Sequence, residues 1–313
     1  MFGIQTQGIR QSQLIETHIQ MIEDIKKEHS SSACIKLAYN MMCNNFATIC
    51  RKTWLPNLVY ALCISTAVTI LSATGTAEGT SHTTAIAVSC VIATCAYVLA
   101  GGWFDATYVA LVTESGTKSC VRRCISLRGV SAIAIYASLL LAAAAFIIAA
   151  QFIDVKTPPA TAVTYCTVAA VAVLAIATIA QVPFFYTFTH HAVNGSDTLR
   201  HTLGPNYIAA VRHIGRIIAP LALSALIEII IIALAMSPLA VLGAARLNNA
   251  ACIALGDADS LPAHFTVLTF TATALFVFIY GFSRIWMFFV SCYAYGNIEA
   301  KMTHGKDKAA ISD

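Results

Sequence analysis

Long apolar runs separated by short polar stretches set the hydrophobic pattern of this chain. Six runs stand out, at residues 55–73, 84–112, 130–153, 160–189, 217–242 and 263–293. As helices rising 1.5 Å per residue, each is long enough to cross a hydrocarbon layer of about 30 Å. The pattern predicts an all-α fold, a polytopic membrane bundle of six transmembrane helices arranged as three hairpins. The connections alternate in character. Residues 75–82 and 154–159 read as tight outer turns, 113–129 and 190–216 as longer basic loops, and 243–262 as a long outer loop with few charges.

The polar ends complete the plan. Residues 1–52 form an N-terminal segment, 53–297 the membrane domain, and 298–313 a tail expected to be disordered. Within the first segment, "QSQLIETHIQMIEDIKKEH" at 11–29 has helical amphipathic spacing, with Leu14, Ile15, Ile19 and Ile22 on the apolar face. That face suits either a protein partner or second copy, or the bilayer surface. "SSS" at 30–32 then predicts a cap for a second short helix running toward Asn44.

Composition narrows the class. The chain is 58% hydrophobic and 11% charged, where soluble proteins carry about 25% charged residues. No early apolar segment reads as a cleavable signal peptide. The acids Glu16, Glu23, Asp24 and Glu28 argue against a mitochondrial transit peptide. Of nineteen lysines and arginines, all but Lys156, Arg246 and Arg284 fall on the side of the N-terminal segment, the 113–129 and 190–216 loops and the tail. The positive-inside rule puts both termini in the cytoplasm. It also explains the net charge of +4 without a nucleic-acid partner. The eleven cysteines are scattered without a C-x-x-C pair and imply no disulfide framework.

Two periodic features accompany the runs. Basic, partly apolar stretches precede the odd ones ("NNFATICRKTWLP", "KSCVRRCISLRGV", "YIAAVRHIGRIIAP"), and aromatic clusters end the even ones ("GGWFDATY", "PFFYTF", "RIWMFF"). They fit a threefold hairpin duplication, or simply the basic loops and aromatic belts of any such bundle. The proline–acid–base signature of mitochondrial carriers is absent, since Pro56 is followed by "NLVYA" and Pro220 by "LALSA". The stretch "NNFATICRKTWLPNLVYAL", a short interfacial helix leading through basic residues into a span, resembles the six-helix bacterial membrane domain found with glycerophosphodiester phosphodiesterases and in uncharacterised relatives. That resemblance implies a membrane domain without an assigned reaction.

Three ionisable residues lie inside the runs: Asp105, Glu228 and Arg284. Counted along the helices, Glu228 is about 17 Å and Arg284 about 14 Å from the cytoplasmic side, close enough in depth for an ion pair. Asp105, about 12 Å deep, is the rival partner for Arg284. Each charge alone costs about 3 kcal/mol at a helix centre, so pairing is expected. Helical spacing adds Ser224, Tyr280 and Thr273 as supporting polar groups, and puts Thr94, Gly101, Asp105 and Tyr108 on one face. The charges either line a polar pathway or pin the helices in register.

Catalytic chemistry is missing: there is no H-E-x-x-H, G-x-S-x-G or phosphate-binding glycine loop. His190, His191, His201 and His213 cluster without a carboxylate pattern or an i, i+4 face, so no metal or cofactor is expected. The chain reads as a non-enzymatic accessory, assembly or interaction component held in the lipid bilayer. The alternative is a small-solute or ion transporter built on Glu228, Arg284 and Asp105.

Overall fold

The structure, a computed structural model, describes residues 29–73, 80–113, 116–151, 159–194, 204–256 and 261–312. The 11–28 stretch with Leu14, Ile15, Ile19 and Ile22 lies outside these. All the regular structure among the described residues is helical. Six helices are long and apolar enough to cross a membrane: Phe46–Ser72, Thr83–Val112, Thr117–Gln151, Thr161–Asn194, Ile214–Ile253 and Phe265–Lys301, spans one to six. Their outer faces suit lipid. In the most apolar stretch of span four 6% of residues are buried, against 33% in span one, and Ile133, Leu140 and Ile176 stand fully outward. Water would not tolerate so much continuous apolar surface.

Several boundaries differ from those the apolar runs suggest. Residues 117–129 were expected as a basic loop and instead form the first turns of span three. Cys120, Cys124, Leu127 and Arg128 recur at helical spacing and make its buried face. The 243–262 loop is likewise shortened, because span five continues to Ala254 through an alanine-rich, proline-free stretch. The helix stops where Gly256 takes φ +97°, a left-handed geometry that glycine adopts without strain, and its N–H bonds to the Ile253 carbonyl. The last helix continues to Ser312, beyond residue 298 where the tail was expected to lose order.

The capped helix foreseen after "SSS" forms as Ser31–Asn44. The Ser30 side chain accepts from the Ala33 N–H at 3.3 Å, and Cys34, Ala38 and Met41, three and four apart, are its buried face. That face packs on span six, with the His29 N–H donating to Asn297. The main core lies under this helix. Phe104, Tyr108, Ile285, Trp286 and Phe289, from the clusters at the ends of spans two and six, pack here on Cys34 and Ala38. These rings were expected to form an interfacial belt. Most are instead core, because a helix on the bundle's end covers them, while Trp103 and Phe185 stay partly exposed.

Around the bundle, span one packs on two, two on three, three on four, five on six, and six returns to one. Spans two and three run antiparallel, as do five and six. Thr94 bonds Tyr136 and Tyr97 bonds Ser131, while Ser224 donates to Met287 Sδ and Ser283 to Glu228. In both pairs of spans the numbers fall on one helix as they rise on the other. Span six meets span one at Gly281. A Cβ there would stand 2.0 Å from Asn57 Oδ1, and the close approach lets Asn57 Nδ2 donate to the Phe278 carbonyl at 2.8 Å.

Candidate functional site

A cavity of about 440 Å³ opens in the middle of the bundle, and all six spans contribute to its wall. Asp105 and Arg284 line it, Glu228 reaches it from span five, and Arg128 reaches it from span three. Tyr60, Tyr97, Tyr280, Ser131 and Gln181 add polar groups, and Phe184, Phe188 and Phe288 supply apolar wall.

Asp105 is the centre of the charged set. Arg128 donates to it in bidentate fashion, Nε to Oδ2 at 2.5 Å and Nη2 to Oδ1 at 2.8 Å. The Tyr108 hydroxyl donates to Oδ1 at 2.6 Å from one turn along the same helix. Two parallel N–H···O bonds are the strong geometry for a guanidinium and a carboxylate. The rest of the Arg128 guanidinium lies over aromatic faces, 4.6 Å from the Tyr97 centroid and 5.6 Å from that of Tyr60. Its Nη1, buried without a hydrogen-bond partner, is thus compensated by ring electrons. Gly101 makes room for it, since a Cβ there would come within 2.9 Å of Nη1. A π turn at Ala96–Ala100 precedes this glycine and rotates the stretch bearing Asp105 relative to that bearing Thr94.

Arg284 is bound more loosely. Its Nη2 stands 3.9 Å from Asp105 Oδ2, and it forms no hydrogen bond among the described residues. This corrects the expected Glu228–Arg284 ion pair. Depth along a helix does not set direction around it. On span six it is Ser283 that faces span five and donates to Glu228 Oε1 at 2.8 Å. Arg284, the next residue, turns about 100° around the helix, toward span two. Glu228 forms no ion pair among the described residues.

Of the expected supporting groups, Tyr280 lines the cavity. Ser224 is fully buried at the contact of spans five and six, and donates to the Leu221 carbonyl and Met287 Sδ. Thr273 turns back on its own helix, donating to the Thr269 carbonyl. The shared face of Thr94, Gly101, Asp105 and Tyr108 does meet span three or the cavity. His190 sits between Asn194, Asn206 and the Tyr295 ring, at the end of span four.

Arg128 is the residue the sequence reading missed. It was counted with the basic loop, although the apolar run starts two residues later. The signal was available, because an intramembrane Asp105 behind a Gly-Gly pair needs a cation that fits against bare backbone. Compared with protein-family models, curated proteins and solved structures, the chain matches none. The geometry of the cavity therefore carries the functional argument.

Proposed function

We propose that this chain is a multi-pass protein of the bacterial cytoplasmic membrane, both ends inside, that binds and moves a small solute through its central cavity. The observation behind this reading is a largely apolar cavity that four charged side chains enter, at the meeting point of all six spans. A purely structural or accessory bundle has no need of such a space, and filling it with apolar side chains would stabilise the fold. Its size lies within the range of small-molecule sites.

The helices around it are irregular. Spans one, four and five contain Pro56, Pro183 and Pro220, and span two has its π turn beside the charged set. Pro183 leaves a carbonyl of span four without its helical donor, and nearby the Tyr207 hydroxyl of the Pro205–Arg212 helix donates to Ala180 O. Such breaks are where transport helices flex around a midplane site. The basic asymmetry of the sequence supports the orientation and holds without Arg128.

The test is a melting-temperature screen of the purified full chain against a broad set of small solutes. Stabilisation by a solute, lost in Glu228→Gln protein that folds normally, supports the reading. A chain that no solute stabilises and that copurifies with a stoichiometric protein partner would favour the accessory role.

A further inference from the structure

The chemistry of the ligand can be read from the charges the fold leaves unspent; this step rests on the solute-binding reading of the cavity. Asp105 and Arg128 satisfy one another through two hydrogen bonds, with Tyr108 as a third partner of the carboxylate. Two charges remain. Among the described residues, Arg284 holds Asp105 at 3.9 Å without a hydrogen bond, and Glu228 is held by the Ser283 hydroxyl. Glu228 is bonded by the residue before Arg284, yet the two charges form no ion pair among the described residues, and both line the cavity.

Their signs are opposite, and this decides the class. A singly charged ligand would pair with one of them and leave the other as weakly held as before, Arg284 by Asp105 at 3.9 Å or Glu228 by one hydroxyl. A ligand that is neutral overall but carries both signs pairs with both groups. We propose that the cavity binds an amphipathic zwitterion. Its ammonium lies on Glu228, and its carboxylate or phosphate oxygens lie on the guanidinium of Arg284, which is shaped for two such oxygens. Tyr280, one turn before Arg284, offers a ring to the ammonium. The apolar part of the ligand lies against Phe184, Phe188 and Phe288. Free amino acids with apolar side chains and the ethanolamine headgroup of a phospholipid share this chemistry.

Equilibrium binding to the full chain in detergent separates these cases. L-phenylalanine, 3-phenylpropionate and 2-phenylethylammonium share a ring and differ in charge. Dihexanoyl phosphatidylethanolamine and dihexanoyl phosphatidylglycerol make the matching lipid pair. A zwitterion is expected to bind about tenfold or more tighter than its singly charged mate, since one charged hydrogen bond is worth that much. Glu228→Gln should erase the preference over 3-phenylpropionate, and Arg284→Gln the preference over 2-phenylethylammonium. A preference confined to phenylalanine identifies a free solute, and one confined to phosphatidylethanolamine identifies a lipid headgroup. Equal or tighter binding of the singly charged compounds overturns the zwitterion and leaves solute binding standing. So does a preference that survives both variants. Binding of none of the five overturns both. The charge series on the unmodified chain decides even where a variant folds poorly.

Discussion

Two charged sets lie within one cavity, and they are built on different plans. Asp105 and Arg128 meet in bidentate contact, with a tyrosine hydroxyl on the acid and two aromatic rings under the base. Arg128 is 3% exposed. Glu228 and Arg284 have one serine hydroxyl and one distant carboxylate between them, and Arg284 is 25% exposed. Under the solute-binding reading, the question of structural pin or functional site divides between the two sets. The first set is bonded on the protein through both groups, with Arg128 Nη1 set against aromatic rings, and it joins spans two and three. The second keeps donors and acceptors in reserve, as a ligand site must.

The strongest test of this division is Arg128→Ala. It leaves Asp105 in the bundle with the Tyr108 hydroxyl and, at 3.9 Å, Arg284, and breaking a buried pair costs about 3–5 kcal/mol. A sharp loss of folded protein, measured by chemical denaturation in detergent, is the expected outcome. Partial recovery is expected in the double variant Asp105→Leu with Arg128→Met, which removes both charges together. A mild effect of Arg128→Ala would show that the two sets are not different in kind.

Gly281→Ala comes next. Its new methyl would collide with Asn57 Oδ1 at 2.0 Å and should cost about 1–3 kcal/mol, the usual range for overpacking. Because Gly281 is one turn from Arg284, the same variant should also weaken ligand binding if spans one and six together hold Arg284 in place. Unchanged melting temperature would mean that the contact of spans one and six yields easily.

Ser283→Ala removes one hydrogen bond from Glu228, with an expected cost near 1 kcal/mol. Glu228→Gln should have the smallest effect on stability, within about 0.5 kcal/mol, because the amide oxygen can still accept from Ser283. Its effect on binding should be the larger one. A Glu228→Gln protein as unstable as Arg128→Ala would place Glu228 in the pin.

Much of the fold was legible. Apolar runs located six long helices because lipid-facing surface must be hydrophobic all along, whatever the tertiary arrangement. "SSS" announced the Ser31–Asn44 helix because capping is a local hydrogen bond. Helix ends were less legible. Residues 117–129 and 243–254 look like loops by polarity and are helical because each has a helical neighbour to continue and no proline to stop it. The aromatic clusters misled in the same way, since rings at a helix end suit an interface until another helix covers them.

For the site, Asp105, Glu228 and Arg284 were recognisable from the sequence itself. A charge inside a long apolar run is costly wherever it points, and that cost is a property of the run. Partner choice was not. It turned on a rotation of about 100° between Ser283 and Arg284, on the long reach of Arg128 from a helix that began earlier than its polarity suggested, and on glycines that let backbones approach. Those are relations between helices, and no single helix encodes them. The sequence by itself determined a multi-pass chain with costly charges in its midst; the packing of six helices decided which of those charges bond each other within the cavity they share.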